Sequence, residues 1–538
     1  MIARHRMQST PRGRLGLLLS IGLVSMAIVV LLGWRFFLPV APLDEGIILA
    51  YPELILNGRL INLEFCSLYP PGTYWIVAIA FKLFGPSLVA ERSVGLLYVL
   101  LLALALLALG RPSGRMTAVL AASMCPAILC FFPAAMAAYA WFGGIALLLW
   151  MLVLGELRLA WPPDSAAGDR LLMATGILGG LAIVFRHDLA PAALVSSVVL
   201  SGVRPKNVAI LALGFFVGTF PLLIHTILAT FPAVYQNLVT DVLRADAGRR
   251  LPIPYRTPLF WVVVVSCFGP LIAVLVKLAI PPWQERDRAL IAVACVCLLI
   301  LPQATSRVDF WHLIYIGCIT IPLSLIAIWQ VLGRLRARNI NDRAGFLTAS
   351  ILKAQPGSAL AVLVATTLVL ISLSSGPELF RQISLLRSNG EWVCANCVRN
   401  EKRLLPIGDL APMAQAIVND LQRASRLGNS VLVGPRDLGR TIYTDSYLLY
   451  FFPHLIWNQY YIEMAPGISD RVGSRMAADV AGADFLLLDS AYDKWVEPNA
   501  SATRGSEEPL RVMEQRFCIM SEHGSFSLYR RCGAMGSS

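Results

Sequence analysis

Two adjacent carboxylates, Asp44 and Glu45, stand in the stretch Pro42-Leu43-Asp44-Glu45-Gly46, a few residues past the first long apolar run of this 538-residue chain. A carboxylate held within hydrogen-bond reach of a hydroxyl can take its proton, so the pair is a candidate general base. Two further clusters place an acid two residues after an arginine: Arg186-His187-Asp188, and Arg307-Val308-Asp309 followed by Phe310, Trp311 and His312. Guanidinium and imidazolium groups are suited to meeting an anion whose charge grows during a reaction. Each pattern also has a plainer reading. Two acids at a helix exit are easily hydrated, and each arginine can simply pair with its own aspartate or with lipid headgroups.

What would hold these groups is a membrane body. The chain is 57% hydrophobic and 14% charged, where a soluble domain carries roughly a quarter charged residues. Apolar runs at 15–37, 94–109, 116–132, 138–154, 171–185, 189–203, 208–229, 259–278, 289–301, 313–331 and 360–373 predict about eleven transmembrane helices, several of them shorter than the ~20 residues a span needs. The first run is too long for a removed signal peptide and reads as a retained helix. The net charge of +12 would suit nucleic acid, but in a membrane protein the positions of Lys and Arg orient the helices. With the N-terminus inside, about 18 Lys and Arg fall in inside loops and about 9 in the outside loops before the last span. Asp44, Arg186 and Arg307 then share the outer face. The segment Tyr74 to Phe84 is assigned to the outer interface, because a twelfth span there would invert everything after it. The pair 171–203 is either two short spans or a re-entrant hairpin.

Residues 376–538 form a tail that the odd helix count places outside. Short apolar runs at Ser430 to Val433, Phe485 to Leu488 and Phe526 to Tyr529 predict buried strands, and Met413 to Ala424 and Ser469 to Ala483 predict helices, so the tail reads as a small α/β domain. Neither of the first two strands is followed by a phosphate-binding glycine motif. Cys518 and Cys532 flank the last strand and are expected to be oxidised, together or with Cys394 and Cys397. Redox or zinc chemistry at Cys394-Ala395-Asn396-Cys397 lacks a second CxxC. In the second outside loop, Arg244, Arg249 and Arg250 interleave with apolar residues as in an interfacial helix or a bland surface loop. The aromatic stretch 445–461 suits either core packing or stacking on sugar rings.

The first outside loop holds, in order, Asp44-Glu45, Leu56-Asn57-Gly58-Arg59, Glu64-Phe65, Tyr69-Pro70-Pro71-Gly72-Thr73-Tyr74, Leu83-Phe84-Gly85-Pro86-Ser87 and Arg92. This order and spacing resembles the GT-C superfamily of polyprenyl-phosphate-sugar transferases, which includes protein mannosyltransferases, lipid A aminoarabinose transferases and rhizobial galacturonosyltransferase-like proteins. The resemblance covers roughly residues 15–375. It implies a GT-C body at 1–375, with the tail at 376–538 as a separate extracytoplasmic domain, in a bacterial inner or plasma membrane. It implies an inverting transfer of a sugar from a polyprenyl monophosphate donor to a lipid, glycan or protein acceptor. Asp44 is then the general base, and Glu45 orients it or binds sugar hydroxyls. Arg186 and Arg307, with His312 third, contact the donor phosphate, and Tyr69, Asp188 and Asp309 bind substrate. The family often carries a second acid between its third and fourth spans, whereas Phe132 to Ala137 has none here, so that role passes to Glu45, Asp188 or Asp309. A divalent cation stays open, since a monophosphate donor has no pyrophosphate to neutralise. The main alternative is a transporter or flippase of lipid-linked sugars, which calls for polar groups near the bilayer midplane and often for inverted repeats.

Overall fold

The computed structural model describes residues 11–341 and 396–533, apart from 163, 255 and 442. Among the described residues before the tail there are fifteen α-helices: α1 Pro11–Leu32, α2 Asp44–Leu56, α3 Gly72–Phe84, α4 Leu88–Gly110, α5 Arg115–Leu129, α6 Ala140–Arg158, α7 Ala166–Phe185, α8 Ala190–Ser201, α9 Pro205–Leu228, α10 Phe231–Tyr235, α11 Val242–Arg249, α12 Pro258–Leu278, α13 Asp287–Leu299, α14 Leu301–Ser306 and α15 Phe310–Asn341. Eight helices among the described residues are long and apolar enough to cross a membrane, which makes the chain an integral membrane protein. The third and sixth predicted spans fall on α5 and α8, of 15 and 12 residues, short of the ~20 that a crossing takes. The eleventh, Leu360 to Leu373, lies outside the described residues. The segment assigned to the interface is α3, a 13-residue helix.

Close helix approach is built from small residues. Gly176 and Gly180 on α7 face Gly214 and Gly218 on α9, and a Cβ at any of the four would strike backbone of the other helix. Without a hydrophobic drive between helices in lipid, such close packing is what holds a pair together.

The start of α2 is fixed differently. Its N-cap, Leu43, offers no side-chain cap. Instead Glu45 Oε2 accepts the Ala41 N–H at 2.6 Å. Glu45 is fully buried and meets Arg92 of α4, with Nε to Oε1 at 2.7 Å and Nη2 to Oε2 at 2.9 Å. Arg92, 2% exposed, also donates through Nη1 to the carbonyls of Phe36 at 2.7 Å and Leu38 at 2.9 Å. One buried guanidinium therefore ties the end of the α1 region, α2 and α4 together. Removing either partner of such a pair costs about 3–5 kcal/mol, because the other charge stays buried.

The tail contains an antiparallel pair, β1 Cys397–Asn400 with β2 Arg403–Pro406, and a five-stranded sheet of β3 Ser430–Pro435, β4 Ile456–Trp457, β5 Phe485–Asp489, β6 Phe517–His523 and β7 Phe526–Arg531. The strand order is β4-β3-β5-β7-β6. β3 pairs in parallel with β4 and β5, and β7 runs antiparallel to β5 and β6. β3 and β5 are buried at every position, which explains their unbroken apolar runs. The helix expected over 413–424 is present as Ala411–Ala424. The one expected over 469–483 shrinks to Met476–Gly482, because Gly473 at φ 73° ends any helical path before it. Cys518 and Cys532 form a disulfide across β6 and the end of β7. Cys397 is also disulfide-bonded, and Cys394 lies outside the described residues.

Tail and body share one hydrophobic core. The aromatic stretch packs instead of opening to solvent: Ser446–Phe451 is a fully buried 3-10 turn against α2. Gly46 permits this approach, since a Cβ there would collide with Ser446 and the Tyr447 backbone. Ser446 Oγ donates to the Leu43 carbonyl at 3.1 Å, and Arg403 grips Glu53 of α2 with both terminal nitrogens at 2.5 and 2.7 Å.

Candidate active site

A cleft of about 350 Å³ opens where the tail meets one end of the helix bundle. Asp44, Tyr69, Arg186, Asp188, Arg307, Asp309 and His312 all line it, although they come from four separate connections of the chain. The shared face inferred from loop charges brings them together in space. Glu45 is the exception. It points away into the Arg92 clamp, so the expectation that it orients Asp44 or binds sugar hydroxyls does not fit its position. Neighbours in a helix point about 100° apart, so only one of two adjacent acids can face the cleft.

Asp44 stands in the first turn of α2. Its Oδ2 accepts the Tyr139 hydroxyl at 3.1 Å, and no ion pair reaches it among the described residues. The carboxylate is open to the cleft yet lies deep beneath the protein envelope. Burial, and then the nearby charge of Glu463, raises its pKa above the usual aspartate value, while Tyr139, His312 and Arg249 pull it down. A carboxylate whose proton affinity is raised by its surroundings is suited to taking a proton.

Arg186 follows α7 directly. Its Nε and Nη2 donate to Asp188 at 3.0 and 2.6 Å, and Gln303 Nε2 donates to the same aspartate at 2.5 Å. The guanidinium lies over Tyr69 at 4.8 Å and Trp141 at 5.5 Å from the ring centroids. Its Nη1 makes no hydrogen bond to a described residue. Arg307 is more fully used: Nε donates to Asp309 at 3.1 Å, Nη2 to Glu497 at 2.5 Å and Nη1 to the Arg249 carbonyl at 3.4 Å. Both arginines do pair with their own aspartates, as the plainer reading held, and both still face the cleft. His312 Nδ1 sits 2.8 Å from Asp309 Oδ1, which fixes the ring and presents Nε2 to the cleft. Against the effect of burial, the His312 and Arg307 contacts lower the Asp309 carboxyl to about 2.

Sequence reasoning missed the part of the cleft built by the tail and by α11. Arg249 turns inward, not to headgroups, and its Nη1 donates to Glu463 Oε1 at 3.0 Å. The chain from Phe231 reaches it through α10, a π-helical turn at Gln236–Asp241 and α11, which resets the facing of the last turn. Tyr443, Glu463, Glu497 and Asn499 of the tail complete the wall. None stands in a pattern that marks it in sequence. Among the described residues, no group of three His, Cys, Asp or Glu side chains is placed to hold a metal ion.

No family model and no curated protein matches the chain. Solved structures do. ArnT from Cupriavidus metallidurans bound to undecaprenyl phosphate is similar over 98% of this chain and 100% of its own, with a TM-score of 0.56 and 16% identity. The same protein in its apo state gives a TM-score of 0.54 at 16% identity, covering 98% of this chain and 99% of that one. The oligosaccharyltransferase AglB from Archaeoglobus fulgidus, in complex with an inhibitory peptide and a dolichol-phosphate, covers 96% of this chain and 75% of its own at 11% identity and a TM-score of 0.48. From the first membrane helix through the tail sheet, the chain shares the fold of the ArnT structures.

Proposed function

We propose that the protein is an inverting membrane glycosyltransferase that takes a sugar from a polyprenyl monophosphate and transfers it to a hydroxyl of an extracytoplasmic lipid, glycan or protein. The observation that carries the reading is the Asp44 carboxylate, without an ion pair among the described residues, facing arginines across one cleft at the end of the bundle. Asp44 removes the acceptor proton while the acceptor oxygen forms its bond to the anomeric carbon. The bond from that carbon to the phosphate oxygen breaks on the opposite side, and its electron pair leaves with the lipid phosphate. Arg186, through its open Nη1, then Arg307 and His312, meet that charge. Tyr69, Asp188 and Asp309 border the substrate space. The proton on Asp44 returns to solvent through the open cleft.

Several facts support this reading. The fold is shared with a structure that carries undecaprenyl phosphate. The excess of Lys and Arg in the loops assigned to the inside supports an orientation with the cleft outside the cytoplasm. Charged groups gather in one cleft at helix ends, whereas a flippase pathway calls for them near the bilayer midplane. The test is to incubate purified protein in nanodiscs of envelope lipids with a panel of synthetic undecaprenyl-phosphate pentoses and hexoses. Release of undecaprenyl phosphate with appearance of the sugar on a lipid is expected for at least one member. Translocation of intact donor with no release would overturn the transferase in favour of the flippase.

A further inference from the structure

The connection Phe132 to Ala137 carries no acid, and the candidates to replace it are engaged: Glu45 with Arg92, Asp188 with Arg186, and Asp309 with Arg307 and His312. Three more carboxylates line the cleft: Asp246 of α11, Glu497 of the tail, which is taken by Arg307, and Glu463, also of the tail. Glu463 has a side chain 6% exposed. Its Oε1 accepts from Arg249, while its Oε2 has no partner among the described residues. A buried carboxylate oxygen without a donor bears its full loss of hydration, and such an atom calls for a ligand.

The position of Glu463 relative to Asp44 is not left to domain drift. Asp44 opens α2, and Tyr51 lies two turns further along the same helix. The Tyr51 hydroxyl donates to the Cys66 carbonyl at 2.7 Å and is hydrogen-bonded by the backbone of Glu463. One helix thus sets both carboxylates. The Glu463 charge is felt by Asp44 and Tyr69, both of which line the cleft.

We infer that Glu463 is a substrate-binding residue of the transferase proposed above: its open Oε2 accepts a hydrogen bond from a hydroxyl of the sugar being transferred, with Arg249 holding the carboxylate in place. An ionised carboxylate is an acceptor only, so it fits a hydroxyl and repels the phosphate. The donor is thereby oriented with its phosphate toward Arg186 and its sugar beside Asp44. The residue also strengthens the base by like-charge repulsion. This inference rests on the transferase reading.

The experiment compares binding of bare undecaprenyl phosphate with binding of the undecaprenyl-phosphate pentoses and hexoses to the full chain in nanodiscs. The wild type is expected to bind at least one sugar-bearing lipid more tightly than the bare one. Glu463→Ala should weaken that binding by roughly 10- to 100-fold, as for loss of a hydrogen bond to a charged group, and leave the bare lipid unchanged. Glu463→Gln should recover part of it, because the amide oxygen still accepts. Equal losses on both lipids, no loss on either, or a wild type that does not distinguish them would overturn the inference. So would sugar-lipid binding abolished by EDTA, which would give the Oε2 to a cation. Release of undecaprenyl phosphate by the wild type is read separately, so the Glu463 assignment can fail while the transferase stands.

Discussion

The cleft's two Arg-x-Asp clusters share a pattern and differ in what holds them. Arg186 is fixed wholly by the membrane body, through Asp188, Gln303 and the rings of Tyr69 and Trp141, and keeps one nitrogen open. Arg307 is shared across the seam to the tail, through Glu497 and the Tyr443 hydroxyl at 3.5 Å. A guanidinium held on rigid elements with spare donors can receive a phosphate without first releasing a partner, whereas one whose nitrogens are all committed must trade. Under the proposed function, the body-held cluster would bind the donor phosphate and the seam-held cluster would join that binding to the tail.

The largest effect tests the base that both clusters face. Asp44→Asn keeps the size and most of the hydrogen bonding of the side chain but removes the proton acceptor. Turnover should fall roughly 100-fold or more, with donor binding unchanged, in the lipid-phosphate release assay. Wild-type turnover would remove Asp44 from the mechanism. Next come the two arginines. Arg186→Ala should raise the donor KM by about 10-fold or more, and Arg307→Ala by less, since its nitrogens are already occupied. A larger effect at Arg307 would invert the comparison.

The body was legible in the sequence to a degree that the seam was not. Ten of the apolar runs fall on helices, α1, α4 to α9, α12, α13 and α15, because lipid forces long unbroken hydrophobicity, and loop charges put Asp44, Arg186 and Arg307 on one face. What failed depended on facing within a turn or on contacts hundreds of residues apart. Glu45 was indistinguishable from Asp44 until Arg92 claimed it. Arg249 was open to either an interfacial helix or a surface loop, and it ends a helix that follows a π-helical turn and meets Glu463. Glu463 and Glu497 reach the cleft only because Ser446–Phe451 docks on α2, a contact that Gly46 permits and that no local pattern announces.

A pH profile sharpens the role of Asp44 relative to its surroundings. Because burial and Glu463 raise its pKa, the acid limb of kcat should lie above that of an ordinary aspartate, ~3.9. Activity is present above that limb, where Asp44 is ionised, and is lost as pH falls through it. Glu463→Gln should move the limb down. An unmoved limb would show that the two carboxylates do not interact. A smaller change is expected from Glu497→Gln, which loosens Arg307 from the tail. Donor KM should shift a few-fold, and combining it with Arg307→Ala should add nothing further, while its effect should add in full to that of Arg186→Ala.

The mildest perturbation asks whether the seam transmits the stability of the tail. Cys518 and Cys532 close a loop of sequence separation 14 at the edge of the sheet, on β6 and just past β7. Replacing both with Ser should cost the tail about 3 kcal/mol by freeing the unfolded chain. Because β5 and β7, not β6, stand between that edge and the docked turn, donor KM and turnover at room temperature should stay near wild type. The loss should instead appear as thermal inactivation at a lower temperature, matched by the reducing agent's effect on the wild type. Seam and body should part here: as the tail begins to melt, contacts through Glu497 and Glu463 go first, so donor KM should rise before the helical signal of the bundle falls. If bundle and tail lose structure in a single step, the two clusters are held by one cooperative unit and the division between them is one of geometry alone.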